Sequence, residues 1–495
     1  MDDESLVRRI ARGLKATLLA SALSMVSKGL VILVLTRYLL SPDQFGLLFY
    51  AISLLAVAEL VADLGFAKST ARYISEFMET DETQVRHIIR VGLSYNLLTI
   101  GIVSVGLVLF HEQIAALLGE PALVPFLLLG PLYVAFKSLH VFFKYVFQGF
   151  NEVVYSGILT GVSSVGQLGF AVGFILLGYG TVGAFVGYAT AFAVSAVLGV
   201  GILYRRFYSQ LPSADSVKED LKTRIVEYNF PLALTRGAGI LDHRVDTILV
   251  GYLLTPVAVG FYTLGKQISE FIIMPAISLG FVVSPTYGSQ KASDDLDRAA
   301  NVYEKSFDNL LLLYVPAAAG LVLVAEPTIR YVVGTSYLGA VPVLQVLALF
   351  VVIKAIDKIS NTGLDYLGRA RERSIVKTAG SVGNFVLNLV LIPILGVVGA
   401  AVATVVTHAC IVSVNVFLIH QELDLSVRRL ALTTVRVSAI TAIMAGTVWL
   451  CLPFITGLIT LAGTVLAGAV VWAVLAVAGG LVDVEEIRTF VANMS

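Results

Sequence analysis

Apolar residues in this chain come in long unbroken blocks, not in the one-sided stripes of a helix lying on a water-soluble core. Blocks of about 20 residues or more, each able to cross a hydrocarbon layer about 30 Å thick, fall near 14–40, 45–67, 88–110, 123–147, 153–178, 180–203 and 228–251. They continue near 258–283, 306–325, 340–360, 374–394, 398–420, 430–454 and 457–482. The pattern predicts about fourteen membrane-spanning helices, numbered here as spans 1 to 14. Charged RRIARGLK precedes the first block, as it would in a cleaved leader. The apolar stretch nevertheless runs past Lys28 to Leu35, beyond a leader core of about 7–15 residues, so a retained span is expected.

Composition agrees: 57% of residues are hydrophobic and 14% charged, against about a quarter charged in soluble domains. The formal net charge is zero, which gives no reason to expect nucleic acid. Cys410 and Cys451 lie in different apolar blocks and suggest neither a metal site nor a disulfide framework.

The blocks also repeat. YLLSPDQFG (Tyr38 to Gly46) returns as YLLTPVAVG (Tyr252 to Gly260), 214 positions later. LLGEPALVP (Leu117 to Pro125) is echoed by VVGTSYLGAVP (Val332 to Pro342), and GTVGA (Gly180 to Ala184) by GVVGA (Gly396 to Ala400). Echoes in one order predict a duplicated half. The expected fold is an all-α polytopic protein with two pseudo-symmetric six-helix lobes and two added C-terminal helices. The divisions are residues 1–206 (spans 1–6), a cytoplasmic linker 207–227, residues 228–421 (spans 7–12), and 422–495. Gly46 and Gly260 are expected to close an outward turn that Pro42 and Pro256 stiffen.

Lysine and arginine in short loops set the orientation. With the N-terminus inside, the cytoplasmic segments hold Arg8, Arg9, Arg12 and Lys15, then Lys68, Arg72, Arg86 and Arg90, then Arg205, Arg206, Lys218, Lys222 and Arg224. Further along they hold Lys291, Arg298 and Lys305, then Arg369, Arg371, Arg373 and Lys377, then Arg428, Arg429 and Arg488. Outside segments hold only Arg37 and Arg330. A multi-pass protein of the cell membrane with both termini cytoplasmic is expected. The loops near 204–227 and 284–305 are too short for a further domain; the second is expected to carry a surface helix capped at Ser293. No GxxxxGK[ST] loop, HExxH or Cys/His cluster occurs, so neither an ATPase nor a metal centre is expected, and no cofactor.

Ionisable residues within the spans carry the remaining chemistry. Each costs at least about 2.5–3.5 kcal/mol at a helix centre, so each needs a partner or a hydrated cavity. The basic set is Lys28, Lys137, Arg236, Arg244, Lys266, Lys354 and Lys358; the acidic set is Glu59, Asp63, Asp242, Asp246, Glu270 and Asp357, joined by His243. Nearly all lie on spans 1, 2, 4, 7, 8 and 10, and the repeat makes the first three equivalent to the last three. At about 100° per residue, Arg236 and His243 project together on span 7, with Arg244 and Asp246 about 80° to either side. Lys266 with Glu270, or Lys354 with Asp357, also fits a structural ion pair, and Lys144 near an inner helix end fits snorkelling. Lys28 and Arg236 have no acid one turn away on their own helix. About seven cations in an apolar surround suit an amphipathic anion such as a lipid phosphate or pyrophosphate.

TRYLLSPDQFG after span 1, ADLGFAKSTARYISEF leaving span 2, FQGFNE after span 4, VVGTSYLGAVPVL before span 10 and LIPILGVVGAAVAT across spans 11 and 12 resemble one family. It is the polysaccharide and lipid-linked oligosaccharide flippases of the multidrug/oligosaccharidyl-lipid/polysaccharide (MOP) exporter superfamily. The resemblance implies two six-helix lobes in a V with two extra helices. It also implies a glycan on a polyprenyl or dolichyl (pyro)phosphate moved between leaflets, and a cationic cavity to which Lys28, Arg236, Arg244 and Lys266 contribute, with Lys137, Lys354 and Lys358 as further cations. Glu59, Asp63, His243, Asp246 and Glu270 are candidates for H⁺ or Na⁺ coupling or for charge balance. A glycan polymerase, ligase or oligosaccharyltransferase would be a downstream partner. A cation-coupled drug antiporter of the same superfamily is the alternative; a membrane enzyme is disfavoured because no long outer loop offers paired catalytic groups.

Overall fold

The computed structural model describes residues 3–212, 224, 227, 229, 243–292 and 296–481, with residues 3–16, 18 and 278–292 described by backbone alone. Among the described residues all regular structure is helical. That is what a lipid environment demands of an open chain, since a helix satisfies its own backbone groups. The helices are α1 (Asp3–Val34), α2 (Pro42–Asp63), α3 (Phe66–Thr80), α4 (Val85–Leu117), α5 (Val124–Gly149), α6 (Val153–Phe174) and α7 (Gly180–Leu203). There follow α8 (Pro256–Ala292), α9 (Leu296–Thr328), α10 (Val341–Tyr366), α11 (Ala370–Leu395), α12 (Val397–Leu423), α13 (Val427–Cys451) and α14 (Leu458–Ala478).

Eleven helical stretches among the described residues are long and apolar enough to cross a membrane, and one of them, Val153–Tyr208, holds both α6 and α7. Span 7 falls largely outside the described residues, of which 243–253 are helical, and span 8 lies within α8. The surface helix expected near 284–305 is not a separate element: α8 runs on to Ala292 and α9 starts at Leu296. Its expected cap, Ser293, lies outside the described residues.

The chain divides into two compact units, Met1–Gly260 and Phe261–Ser495. In the first, α5 packs against α2, α3, α4 and α7, while α6 packs on α1 and α7. In the second, α10 packs against α9 and α12, α11 against α12, and α13 against α9 and α14. Arg429 fastens α13 to α9 by donating to the buried Glu304 at 2.6 Å and to Asp308 at 3.1 Å.

The repeated phrase proves to be a helix start. Ser41 and Gln44 form a reciprocal capping box, with Pro42 at the first position of α2. Thr255 accepts the Ala258 amide at 3.4 Å at the start of α8, where Pro256 takes the same place. Gly46 and Gly260 therefore do not close a turn. Each lies in the first turns of a helix, and neither has a positive φ. Their role is close approach: a Cβ on Gly46 would strike the Pro256 carbonyl, and one on Gly260 the Pro42 carbonyl. The two copies of the phrase thus pack reciprocally within the first unit, where only glycine lets the backbones meet.

One helix went unforeseen. α2 ends where Leu64 and Gly65 both adopt left-handed conformations, φ 40° and 88°, and α3 leaves in a new direction with Asp63 Oδ1 accepting the Ala67 amide at 3.4 Å.

Candidate functional site

The apolar and polar sides of α1 are separable by angle. Leu19, Leu23, Val26 and Leu30 are exposed apolar residues on one side. At about 100° per residue, Thr17, Ser21, Ser24 and Lys28 form the opposite stripe. Ser24 accepts the Ser164 hydroxyl of α6 at 2.8 Å, which fixes the rotation of α1. Lys28, one turn on, is exposed on this polar side, away from the face the bilayer would cover.

α5 repeats the arrangement with more charge. Leu128 and Leu132 are exposed on its apolar side. Lys137 and Lys144, seven residues apart, share the other side. Lys137 forms an ion pair with Glu59 of α2 and lies 5.3 Å from the centre of the Tyr133 ring. The pair is mostly buried, with the side chains 20% and 12% exposed. It therefore joins α5 to α2 where loss of either partner would strand a charge. Arg244 lies within electrostatic reach of Lys137, and Lys28 within reach of Lys144. His140, between the two lysines, bonds Ser195 of α7 at 2.8 Å through Nδ1. Because the Ser195 hydroxyl is donated to the Leu159 carbonyl at 3.1 Å, His140 Nδ1 carries the proton in that contact.

Asp63 is buried and engaged in capping α3, which ties it to the α2–α3 bend. His243 is exposed, Arg244 half-buried and Asp246 buried. Arg236 and Asp242 lie outside the described residues.

In the second unit α10 matches α5 in length and in the place of its lysine, with a different counter-ion. α5 and α10 each have 26 residues, each begins Val-Pro, and Lys137 and Lys354 are both the fourteenth residue. Three residues on, α5 has His140 and α10 has Asp357. Lys354 donates to Asp357 Oδ2 at 2.8 Å along its own helix. Asp357 is 3% exposed, and its Oδ1 has no hydrogen-bond partner among the described residues. His408 of α12 and Lys358 lie within electrostatic reach of that carboxylate, and Lys377 and Glu270 within reach of Lys358. Lys266 sits 5.7 Å from the centre of the Tyr262 ring. The Tyr262 hydroxyl donates to Thr404 at 3.1 Å, since Thr404 gives its own proton to the Ala400 carbonyl. At the α10–α11 junction, hydrogen bonds that Arg369 donates to Glu372 and then to Glu422 raise its guanidinium further above its already high ordinary value.

The structure therefore brings together Lys28, Glu59, Lys137 and Arg244 in the first unit and Lys354, Lys358 and Glu270 in the second. Lys144, His140, Lys377 and His408 join them although the sequence did not single them out as site residues. His140 and His408 gave no signal beyond a lone histidine in an apolar run. Among the described residues no group of three or more metal-ligating side chains occurs.

The sequence model of the family described as polysaccharide biosynthesis protein matches residues 12–289, more than half of the chain, and the MatE model matches residues 238–410. This chain belongs to the polysaccharide biosynthesis protein family, within the MOP superfamily. It is 22% identical to a probable low-salt glycan biosynthesis flippase, Agl15, of Haloferax volcanii over 75% of each chain. Its fold is similar to that of the lipid II flippase MurJ in an inward closed conformation, with a TM-score of 0.76, 16% identity and coverage of 94% of this chain and 98% of that one. An inward-facing multidrug resistance MATE transporter gives a TM-score of 0.62 at 14% identity, over 83% of this chain and 94% of that one.

Proposed function

We propose that this MOP-superfamily transporter is a flippase that moves an oligosaccharide linked to a polyprenyl or dolichyl (pyro)phosphate from the cytoplasmic to the outer leaflet by alternating access. The observation that carries the reading is the row of cations on the polar sides of α1 and α5, in a chain of the polysaccharide biosynthesis family. Cations in a hydrated, apolar-walled space hold a phosphate by charge-assisted hydrogen bonds, while a lipid tail stays in the bilayer. One relative bears the name of a glycan biosynthesis flippase and one structural neighbour that of a lipid flippase; the cargo proposed here is of that kind.

In this reading the chain forms an N-terminal lobe (1–206), a linker (207–227), a C-terminal lobe (228–421) and two added helices with a tail (422–495). Both termini are cytoplasmic and the membrane is the cell membrane. Lys28, Arg236, Arg244, Lys266 and Lys358 contact the anionic head group. Lys137 and Lys354 are held by Glu59 and Asp357 and set the local charge. Glu59 thus serves charge balance, which leaves His243, Asp246 and Glu270 for coupling to H⁺ or Na⁺. The product feeds an enzyme that polymerises or transfers the glycan.

Cells lacking the protein, loaded with labelled lipid-linked oligosaccharide and resolved by leaflet, test the reading. Inner-leaflet accumulation that wild type corrects and stably folded Lys28→Ala or Arg244→Ala does not is the expected result. Correction by every variant would remove the cationic site and keep the flippase. The match of the MatE model to residues 238–410 favours, as a second reading, a cation-coupled antiporter of small molecules. Normal glycolipid distribution in the deleted cells, together with sensitivity to cationic drugs, would establish that reading instead.

A further inference from the structure

Several arginines of the second unit are answered by carboxylates: Arg369 by Glu372 and Glu422, Arg373 by Asp365, and Arg429 by Glu304 and Asp308. One cluster in the first unit has no such answer. Arg86 and Arg90 stand in the first two turns of α4, and Arg205 and Arg206 just past the end of α7. Among the described residues none of the four makes an ion pair, not even Arg86 with Glu82 one turn before it.

A tyrosine assembles the cluster. Past Leu203 the chain continues through Tyr204–Tyr208 as a wider π-helical turn, and the Tyr204 and Tyr208 rings stack with their centres 6.3 Å apart. Arg86 and Arg90 lie 5.4 and 5.7 Å from the centre of the Tyr208 ring. Arg86 donates to the Tyr208 carbonyl at 3.1 Å and the Ser209 carbonyl at 3.2 Å, and Arg90 donates through Nε to the Tyr208 hydroxyl at 2.5 Å. These bonds tie the arginines of α4 beside the turn that carries Arg205 and Arg206. Arg90, Arg205 and Arg206 are exposed. Among the described residues the Nη groups of Arg90 and the guanidinium groups of Arg205 and Arg206 have no acceptor.

An apolar wall rises from the same place. On α4, Leu97 and Val108 are exposed and project within about 20° of Arg90. On α7, Val197 and Val200 are exposed, and Tyr204 follows them on nearly the same side. Both helices belong to stretches long and apolar enough to cross a membrane, so exposed surface of this kind meets lipid tails. Arg90 lies five residues from the start of α4 at Val85, or about 8 Å. With the chain oriented as its loop charges require, the cluster is level with the inner-leaflet head groups.

We propose that this cluster seats an anionic glycerophospholipid of the inner leaflet, its phosphate held by Arg90, Arg205 and Arg206 and its acyl chains against Leu97 and Val197. Arginine offers a phosphate two parallel N–H donors from one planar fork, and an acidic leaflet supplies the negative charge that the cluster lacks. The occupant is a resident membrane lipid and not cargo, so the seat does not depend on the flippase reading.

The full-length chain with Cys410→Ala and Cys451→Ala and a bimane on Val200→Cys tests the seat in phosphatidylcholine liposomes doped with brominated phosphatidylglycerol or brominated phosphatidylcholine. The brominated phosphatidylglycerol is expected to quench at a mole fraction about threefold lower, and high salt should narrow that gap. Arg90→Gln combined with Arg205→Gln and Arg206→Gln should make the two lipids quench alike, whereas lysine at the three positions should keep part of the preference. If the triple variant does not stay monodisperse, Arg206→Gln alone is read the same way and should lower the preference by about half. Equal quenching by the two lipids with the arginines intact overturns the seat. An undiminished preference in the well-folded glutamine variant, or an equal one at a bimane on Leu109→Cys toward the other end of α4, overturns the assignment to these arginines. Loss of the preference on adding soluble glycerol phosphate overturns the lipid in favour of a free phosphate.

Discussion

α5 and α10 share their length, their Val-Pro start and a lysine at the fourteenth position, but they neutralise that lysine differently. Lys137 reaches across to Glu59 of α2, whereas Lys354 turns to Asp357 on its own helix. At the offset that relates Ser41-Pro42 to Thr255-Pro256, the counterpart of Glu59 is Ile273, so α8 has no acid there; the position filled by His140 in α5 carries the acid in α10. Both helices hold a mostly buried lysine in an ion pair, with the carboxylate on a neighbouring helix in one and on the same helix in the other.

The largest effect should come from removing one carboxylate. Glu59→Gln and Asp357→Asn should each destabilise the protein by about 3–5 kcal/mol, because each strands a buried cation. Thermal unfolding in detergent measures this, and adding Lys137→Met to Glu59→Leu should recover more than half of the loss. The comparison is sharpened by transplanting the counter-ion: Glu59→Leu with His140→Asp gives α5 the arrangement of α10. It should be clearly more stable than Glu59→Leu alone; equal stability would mean that the equivalence of the two helices stops at the backbone.

Next in size are the glycines where the two phrases meet. Gly46→Val and Gly260→Val should each cost about 1–3 kcal/mol or more, since the clash is with a carbonyl that cannot rotate away. Gly101→Val, with open space around it, should be nearly neutral in the same melt. The smallest difference lies in the caps. Ser41→Ala should cost about 1 kcal/mol, and Thr255→Ala slightly less because Ser41 has the reciprocal bond with Gln44 and Thr255 faces Ala258. Differential scanning fluorimetry on the paired variants resolves the order.

Helices were the most legible part of the sequence, because about 20 apolar residues in a row leave a lipid-embedded chain little choice. Lys354 with Asp357 was legible too, since three residues on one helix fix the geometry. Lys137 with Glu59 was not: their spacing of 78 positions says nothing until α2 is packed on α5. The bend that created α3 depends on Leu64 in a left-handed conformation, which a leucine does not advertise. Asn96, which donates to both the Ala62 carbonyl at 3.3 Å and Ser138 at 3.0 Å and so fastens α2 and α5 to α4, was equally silent. The electrostatic nearness of Lys28 to Lys144 was silent too, since it depends on how the first unit folds.

The central claim is tested most directly in vesicles that contain only this protein and a fluorescent oligosaccharide on a polyprenyl diphosphate. A membrane-impermeant reductant bleaches the outer leaflet. The account predicts that wild-type vesicles lose nearly all fluorescence as inner-leaflet lipid crosses, and that Lys28→Gln and Arg244→Gln vesicles do so more slowly. Wild-type vesicles that stop at the half-loss of protein-free vesicles, while the same preparation exchanges a cationic dye for H⁺ or Na⁺, would contradict it.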